Sequence, residues 1–248
     1  MIEIITIPGF QEILGPVEVG RLLDIASGSG QFIGILTGSL GNWEHITGLD
    51  LSDEILEETR KKYIGDKFSF VTGSALDLPF ESESFDMVCI SKGLHHVPDP
   101  AAALSEMIRV VKAGGYVLVS ETCSDGLDAA QGSQKMHHHL RVEVDRLLGN
   151  SHNFTFTRKE LFDIMDKVPL QDLKVYEYTE PVKDPFNKEM VHEYRKKMQY
   201  WINELRDHPE REHIKQKMMK VEEKISKDGI ARPPLLIFMG RKSANAGQ

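Results

Sequence analysis

Leu22-Leu23-Asp24-Ile25-Ala26-Ser27-Gly28-Ser29-Gly30 decides the fold of this 248-residue chain. Residues 20–26 read as a short buried strand. Gly28 and Gly30 break it, and a helical run opens near Gln31. A glycine turn between a buried strand and a helix lets the backbone approach a ligand closely, and the helix start offers free N–H groups.

Working outward, the same alternation repeats. Residues 45–50 read as a second strand, and Ser52 is a plausible N-cap for a helix to about Tyr63. Residues 68–73 and 85–91 read as the third and fourth strands. A helix from about Pro100 to Lys112 is expected to stop at Gly114 and Gly115, before a fifth strand at 116–122. Strands alternating with helices imply a parallel sheet with right-handed crossovers.

Beyond residue 125 the pattern changes. Residues 130–148 read as a helix, 157–167 as a short one and 172–180 as a sixth strand. The stretch 183–228 carries twelve basic and ten acidic side chains. Within it Met190, Val191, Tyr194, Met198, Trp201, Ile202 and Leu205 form one helical stripe, and Ile214, Met218, Val221 and Ile225 form another. Two amphipathic helices are therefore expected before a final strand at 234–240, with a frayed tail at 243–248.

Formal net charge is -8, from 30 basic and 38 acidic residues, which gives no basic footprint for nucleic acid. The two cysteines, Cys89 and Cys123, have no CxxC or Cys/His zinc spacing and read as buried thiols of a reducing cytosol. The start of the chain does not read as a signal peptide, and no window approaches the about 18 apolar residues of a membrane span. A cytoplasmic, soluble protein is expected.

Asp50 ends the second strand, and an acidic side chain there accepts hydrogen bonds from both hydroxyls of a ribose. Asp24 sits at a comparable strand end, where open α/β sheets bind ligands. The run His137-His138-His139 invites a metal reading. Adjacent helical residues point about 100° apart, so these three do not converge on one ion, and no metal site is expected.

With these residues stand Gly48-Leu-Asp-Leu-Ser52, Gly73-Ser-Ala-Leu-Asp-Leu-Pro-Phe80, Ser84-Phe-Asp-Met-Val88, Leu94-His-His-Val-Pro-Asp-Pro100 and Val110-Val-Lys-Ala-Gly-Gly115. In that order the chain resembles the class I methyltransferases that use S-adenosylmethionine (SAM), in particular the small-molecule group that includes the ubiquinone and menaquinone C-methyltransferases. The resemblance covers residues 20–122. It implies a Rossmann-like, seven-stranded, mostly parallel sheet with an antiparallel last strand, to which a helical insertion is added. The expected divisions are a SAM-binding core at 1–125, a helical cap segment at 126–170, the last two strands within 171–182 and 232–242, and a helical insertion at 183–231.

The resemblance also implies roles. Ala26, Ser27, Gly28 and Gly30 would form the loop under the methionine part of SAM, and Asp24 would help hold that loop and the amino group. Asp50 would bind the ribose, Leu51 would pack on the adenine, and Ala75 would give it a backbone N–H. Ser91 to His96 would lie near the methionine part and the methyl group. Two positions depart from the family: Ala26 replaces a glycine, and Ser74 replaces the aspartate that contacts the adenine amino group.

The expected reaction moves a methyl group from SAM to a small-molecule acceptor, leaving S-adenosylhomocysteine (SAH). If the acceptor needs a general base, His95, His96 and Glu121 are the candidates. Lys92 is a candidate contact for an anionic substrate. Residues 130–168 and 185–228 are expected to roof the active site, or to form a dimer surface, so monomer and homodimer both stay open. RNA or protein methylation is disfavoured by the charge and by the missing Asn/Asp-Pro-Pro-Tyr/Phe sequence after the fourth strand. A non-catalytic SAM- or SAH-binding protein is the alternative from another class.

Overall fold

A computed structural model describes residues 3–243, so all of the expected frayed tail but Ser243 lies outside the described residues. In chain order the first elements are β1 (Ile4–Thr6), α1 (Gln11–Leu14), β2 (Glu18–Ile25), α2 (Gln31–Ser39), β3 (Asn42–Asp50), α3 (Asp53–Lys62), β4 (Phe68–Thr72) and β5 (Phe85–Ser91). A single 3₁₀ turn (Leu94–His96), α4 (Pro100–Val110), β6 (Val111–Thr122), α5 (Ala129–Leu147), α6 (Arg158–Met165) and β7 (Leu170–Tyr178) follow. The last elements are α7 (Lys188–Glu204), α8 (Arg211–Asp228) and β8 (Leu235–Lys242).

The chain divides into two compact units. The first comprises Met1–Glu121, Lys159–Tyr178 and Leu235–Gln248 and contains the sheet. Its strand order is β1-β7-β8-β6-β5-β2-β3-β4. The pairs β2–β3, β3–β4, β2–β5 and β5–β6 are parallel, and β7–β8 is antiparallel. The central strands are apolar because they are covered on both faces, as parallel sheets are: Leu22, Leu23, Ile46, Met87, Val88, Leu118 and Ile237 are fully buried.

Two expectations need correction. The sheet has eight strands, not seven, because Ile4-Ile5-Thr6 adds a parallel strand at the open edge of β7. Three β-branched residues suit that edge, but three residues carry no alternation for a sequence reading to detect. The helix expected from Pro100 to about Lys112 ends at Val110. Val111, already extended, caps it through its N–H to Met107, and β6 starts at once. A β-branched valine pair (Val110-Val111) makes that direct switch to strand possible.

The helix starts follow the expected chemistry. The Ser52 hydroxyl accepts from the Ile55 N–H at 3.3 Å, with Asp53 and Glu54 in the first turn and Arg60, Lys61 and Lys62 in the last, matching the helix dipole. Asp99 caps α4 from the Ala102 N–H at 3.1 Å, and Pro100 fills the first turn, where no N–H is needed.

The second unit comprises Thr122–Arg158 and Thr179–Pro234. Asp128 and Gln131 close a reciprocal cap at the start of α5. Leu140 and Val144 of α5 share a core with Met198, Trp201 and Ile202 of α7 and Ile214, Val221 and Ile225 of α8. The stripes legible in the charged stretch are thus the buried seams of a helical cluster. The helix at 158–165 falls largely in the sheet unit, where the Phe162 ring meets Phe238 edge-on at 5.3 Å.

Candidate active site

The order of strands reverses at β2, which lies between β3 on one side and β5 on the other. Ligands of open α/β sheets bind outside the carboxyl ends of the strands at such a point. The turn that follows β2 takes the left-handed conformation at alternate residues, with φ of 54° at Ala26, 51° at Gly28 and 76° at Gly30. Ala26 holds that conformation despite its methyl group, at a cost of about 1–2 kcal/mol for an L-residue. Gly30 has no such freedom, since a Cβ there would lie 2.5 Å from the Tyr63 ring.

Asp50, at the end of β3, ties the turn to its own strand. One carboxylate oxygen accepts the Gly28 N–H at 2.9 Å and the other accepts the Ser52 N–H at 3.1 Å. The Ser27 N–H bonds to the Leu49 carbonyl at 3.0 Å. Leu51 is 76% exposed, an apolar side chain left open beside this edge of the site.

Behind the turn lie two polar atoms with no hydrogen-bond partner, Asp24 Oδ2 and Ser27 Oγ, both buried. Asp24 is 1% exposed. Its burial, reinforced by the negative charge of Asp50, raises its carboxyl well above the usual carboxylate range. Buried polar groups are almost always partnered, so each of these two atoms is left able to take a hydrogen bond from a water or a ligand.

The far side of the site is made by the ends of β4, β5 and β6. Gly73 N–H donates to Asp50 O at 2.9 Å, which sets Ser74 and Ala75 beside β3. The Ser74 hydroxyl accepts from Leu76 N–H at 3.1 Å, a local turn contact in the place of the family's aspartate. Ser91 Oγ lies 3.4 Å from Ser120 Oγ, and Lys92 N–H donates to Ser120 O at 2.7 Å. Gly93 leaves room for Ala26, whose methyl would be 2.7 Å from a Cβ at 93.

The three candidate bases differ. Glu121 is fully buried and uses one oxygen on the Leu94 N–H at 2.7 Å and the other on His95 Nδ1 at 2.8 Å. His95 is itself buried. His96 is exposed, its ring centroid 4.3 Å from that of His95. The geometry therefore makes Glu121 and His95 a buried pair that shapes the loop after β5, and leaves His96 as the accessible ring.

Thr59, Lys62 and Tyr63 escaped the sequence reading. Their side chains donate to the carbonyls of Gly28 at 2.7 Å, Ser29 at 3.2 Å and Gly30 at 2.7 Å. The only signal was their i, i+3, i+4 spacing on the helix after Asp50, which a solvated helix face shares. In the second unit, the three consecutive histidines go separate ways. His137 packs against Tyr194 and Trp201, with ring centroids 4.6 Å away in each case, while His139 Nε2 meets Thr155 Oγ1 at 2.9 Å. Burial lowers the His137 pKa to about 4.

The methyltransferase-domain family matches residues 23–119, from within β2 to within β6. The demethylmenaquinone methyltransferase of Staphylococcus haemolyticus is 34% identical over 161 residues, 63% of this chain and 67% of that protein. That of Clavibacter sepedonicus is 39% identical over 109 residues, 44% of this chain and 43% of that protein. The chain thus spans between 43% and 67% of the lengths of these two relatives. Among solved structures, a SAM-dependent methyltransferase of Thermotoga maritima superposes with a TM-score of 0.55 at 19% identity, over 94% of this chain and 92% of its own. Phosphoethanolamine N-methyltransferase 2 of Haemonchus contortus, in complex with S-adenosyl-L-methionine, superposes with a TM-score of 0.55 at 20% identity, over 94% of this chain and 51% of its own.

The chain belongs to the SAM-dependent methyltransferase family. Within that family, the two relatives described above are both demethylmenaquinone methyltransferases. Among the described residues, no helix is long and apolar enough to cross a membrane.

Proposed function

We propose that the sheet unit binds SAM at the carboxyl ends of β2 to β6 and that the protein transfers its methyl group to a small-molecule acceptor, releasing SAH. The observation that carries this reading is the buried, unpartnered pair Asp24 Oδ2 and Ser27 Oγ behind a glycine turn held by Asp50. An ammonium group offers what these atoms lack, a counter-charge and donors.

SAM supplies an activated methyl group on a sulfonium, and the protein's part is alignment and exclusion of water. Asp24 receives the amino group. Ser27, Gly28 and the start of α2 line the methionine part. Asp50 keeps the turn in place through one lone pair on each oxygen and accepts the ribose hydroxyls through the others. Leu51 covers the adenine, and Ser74 and Ala75 border it. Glu121 and His95 set the loop after β5, and His96 is the base where the acceptor must lose a proton.

The first acceptor to try is demethylmenaquinone, for which the relatives are named. The helical unit is assigned acceptor selection, the alternative being a dimer surface; deletion of 187–228 gives lost activity in a protein that is a monomer before and after in the first case and a change from dimer to monomer in the second. The buried cysteines Cys89 and Cys123 fit a cytoplasmic protein.

The deciding experiment measures methyl transfer from labelled SAM to a panel of acceptors that begins with demethylmenaquinone. Transfer by the wild type and its loss in Asp50→Ala support the proposal. SAM binding with no transfer to any acceptor points to a non-catalytic binder, and absence of SAM binding refutes the site.

A further inference from the structure

Thr59 and Lys62 of α3 and Tyr63, its C-cap, meet three consecutive carbonyls of the glycine turn. Thr59 Oγ1 bonds to Gly28 O at 2.7 Å, Lys62 Nζ to Ser29 O at 3.2 Å, and Tyr63 OH to Gly30 O at 2.7 Å. Residues spaced i, i+3 and i+4 share a helix face, so a single element reads the whole turn. Thr59 is fully buried, and its hydroxyl lies 3.2 Å from the Ile55 carbonyl, the longer of its two contacts. The Tyr63 ring lies against Gly30, where a Cβ would clash at 2.5 Å. Burial, with the Asp24 charge nearby, raises the Tyr63 phenol above its ordinary value and keeps the donating proton in place.

α3 is itself anchored. Ser52 caps it, and the Asp53 carboxylate accepts from Thr72 Oγ1 of β4 at 2.7 Å and from Arg60 at 3.0 Å. The contacts therefore tie the turn to the sheet through a helix that cannot easily drift.

The consequence follows from peptide geometry. In a planar trans peptide the C=O and the following N–H point in opposite directions. Carbonyls of Gly28 and Gly30 fixed toward α3 turn the N–H groups of Ser29 and Gln31 to the opposite side. Gln31 is the first residue of α2, where an unpaired N–H and the helix dipole favour an anion.

We propose that Thr59, Lys62 and Tyr63 are positioning residues that hold the glycine turn in its binding-competent conformation before the cofactor arrives. This rests on the SAM reading above. None of the three needs to touch the cofactor. Their effect is to remove the ordering cost that binding would otherwise carry, which is how preorganisation raises affinity.

The test uses the full chain with Thr59→Val, Thr59→Ser and Tyr63→Phe. SAH binding is measured by calorimetry, KM for SAM and kcat by methyl transfer, and amide exchange of Gly30, whose N–H bonds to Ser27 O at 2.9 Å, in the ligand-free protein. The expected result for Thr59→Val and Tyr63→Phe is SAH binding about tenfold weaker, a raised KM with kcat nearly unchanged, and faster exchange at Gly30. Thr59→Ser, which keeps the hydroxyl, restores both binding and slow exchange. Wild-type affinity and wild-type exchange in the folded Val and Phe variants overturn the proposal. If the wild type binds no SAH, the SAM reading fails, and the proposal of a turn held for the cofactor fails with it; faster exchange in the variants would then show a purely structural clasp.

Discussion

Replacing Asp24 by Asn removes a buried charge without changing shape, and its two consequences run in opposite directions. Asp24 is 1% exposed, and its Oδ2 has no partner. Its folded-state pKa is raised well above the ordinary value by burial and then by Asp50. A group raised in this way binds its proton more tightly in the folded chain than in the unfolded one. Its contribution to stability is therefore complete below the unfolded carboxyl pKa, about 3.9, and is lost as pH rises through the folded pKa. The ligand-free wild type should lose stability across that window, and Asp24→Asn should not. An unsatisfied buried acceptor costs about 1–3 kcal/mol, more when charged. Asn keeps an unpartnered polar atom there and removes only the charge, so above the folded pKa of Asp24 the variant should melt a few degrees higher than the wild type, at about 2–4 °C per kcal/mol for a chain of this size.

Cofactor binding should move the other way. A lost charge-assisted hydrogen bond of about 1.5–3 kcal/mol weakens SAM binding by about tenfold to 150-fold. Wild-type affinity should also rise with pH as Asp24 ionises, while that of the variant stays flat. Thermal melts and calorimetry from about pH 5 to about pH 9 give both curves. A variant that is less stable at every pH and binds SAM as the wild type does would refute the reasoning, since Asp24 would then be a structural residue.

The remaining predictions concern packing and the second unit. Ala26→Gly relieves a left-handed alanine, a gain of about 1–2 kcal/mol less the about 0.5–1 kcal/mol of added chain entropy; a urea midpoint that falls would show that the Ala26 methyl against Gly93 outweighs the strain. Glu121→Ala takes the acceptor from two buried donors, Leu94 N–H and His95 Nδ1, at about 1–3 kcal/mol each; urea unfolding should show the loss, and Glu121→Gln, which keeps an acceptor oxygen, should lose less. His137 has a folded pKa of about 4, depressed by burial, so its stabilising effect is full above the unfolded value of about 6.5 and is lost as pH falls, by about 3 kcal/mol in all. Helical circular dichroism during acid titration should show that loss in the wild type and a smaller one in His137→Leu; equal curves would place the acid transition elsewhere.

Much of the sheet was legible because its signals are local. The strand read at 20–26 and found as Glu18–Ile25, the breaking glycines and the Ser52 cap each depend on neighbours close in the chain, and period and capping chemistry identify them without knowledge of the fold. The stripes from Met198 to Ile225 were legible for the same reason, being a 3.6-residue period written in apolar side chains. β1 was not, because three exposed residues become a strand only by finding the edge of β7, more than 160 residues away. The early end of α4 was misread because two glycines outweighed the valines that turn the chain into β6.

At the candidate site the chain order of Asp24, Gly28, Gly30 and Asp50 is what suggests a cofactor turn, the reading proposed above, since strand, turn and acidic strand end recur at a fixed separation in such sheets. What only the tertiary structure decided is how each residue is used. That Asp50 holds the Gly28 N–H, that Glu121 is engaged by His95, and that Thr59, Lys62 and Tyr63 grip the turn depend on contacts across 22 to 33 residues of chain. The identity of a side chain states what it can donate or accept; which partner it meets is set by how strands and helices pack, and that is not written in any local stretch of sequence.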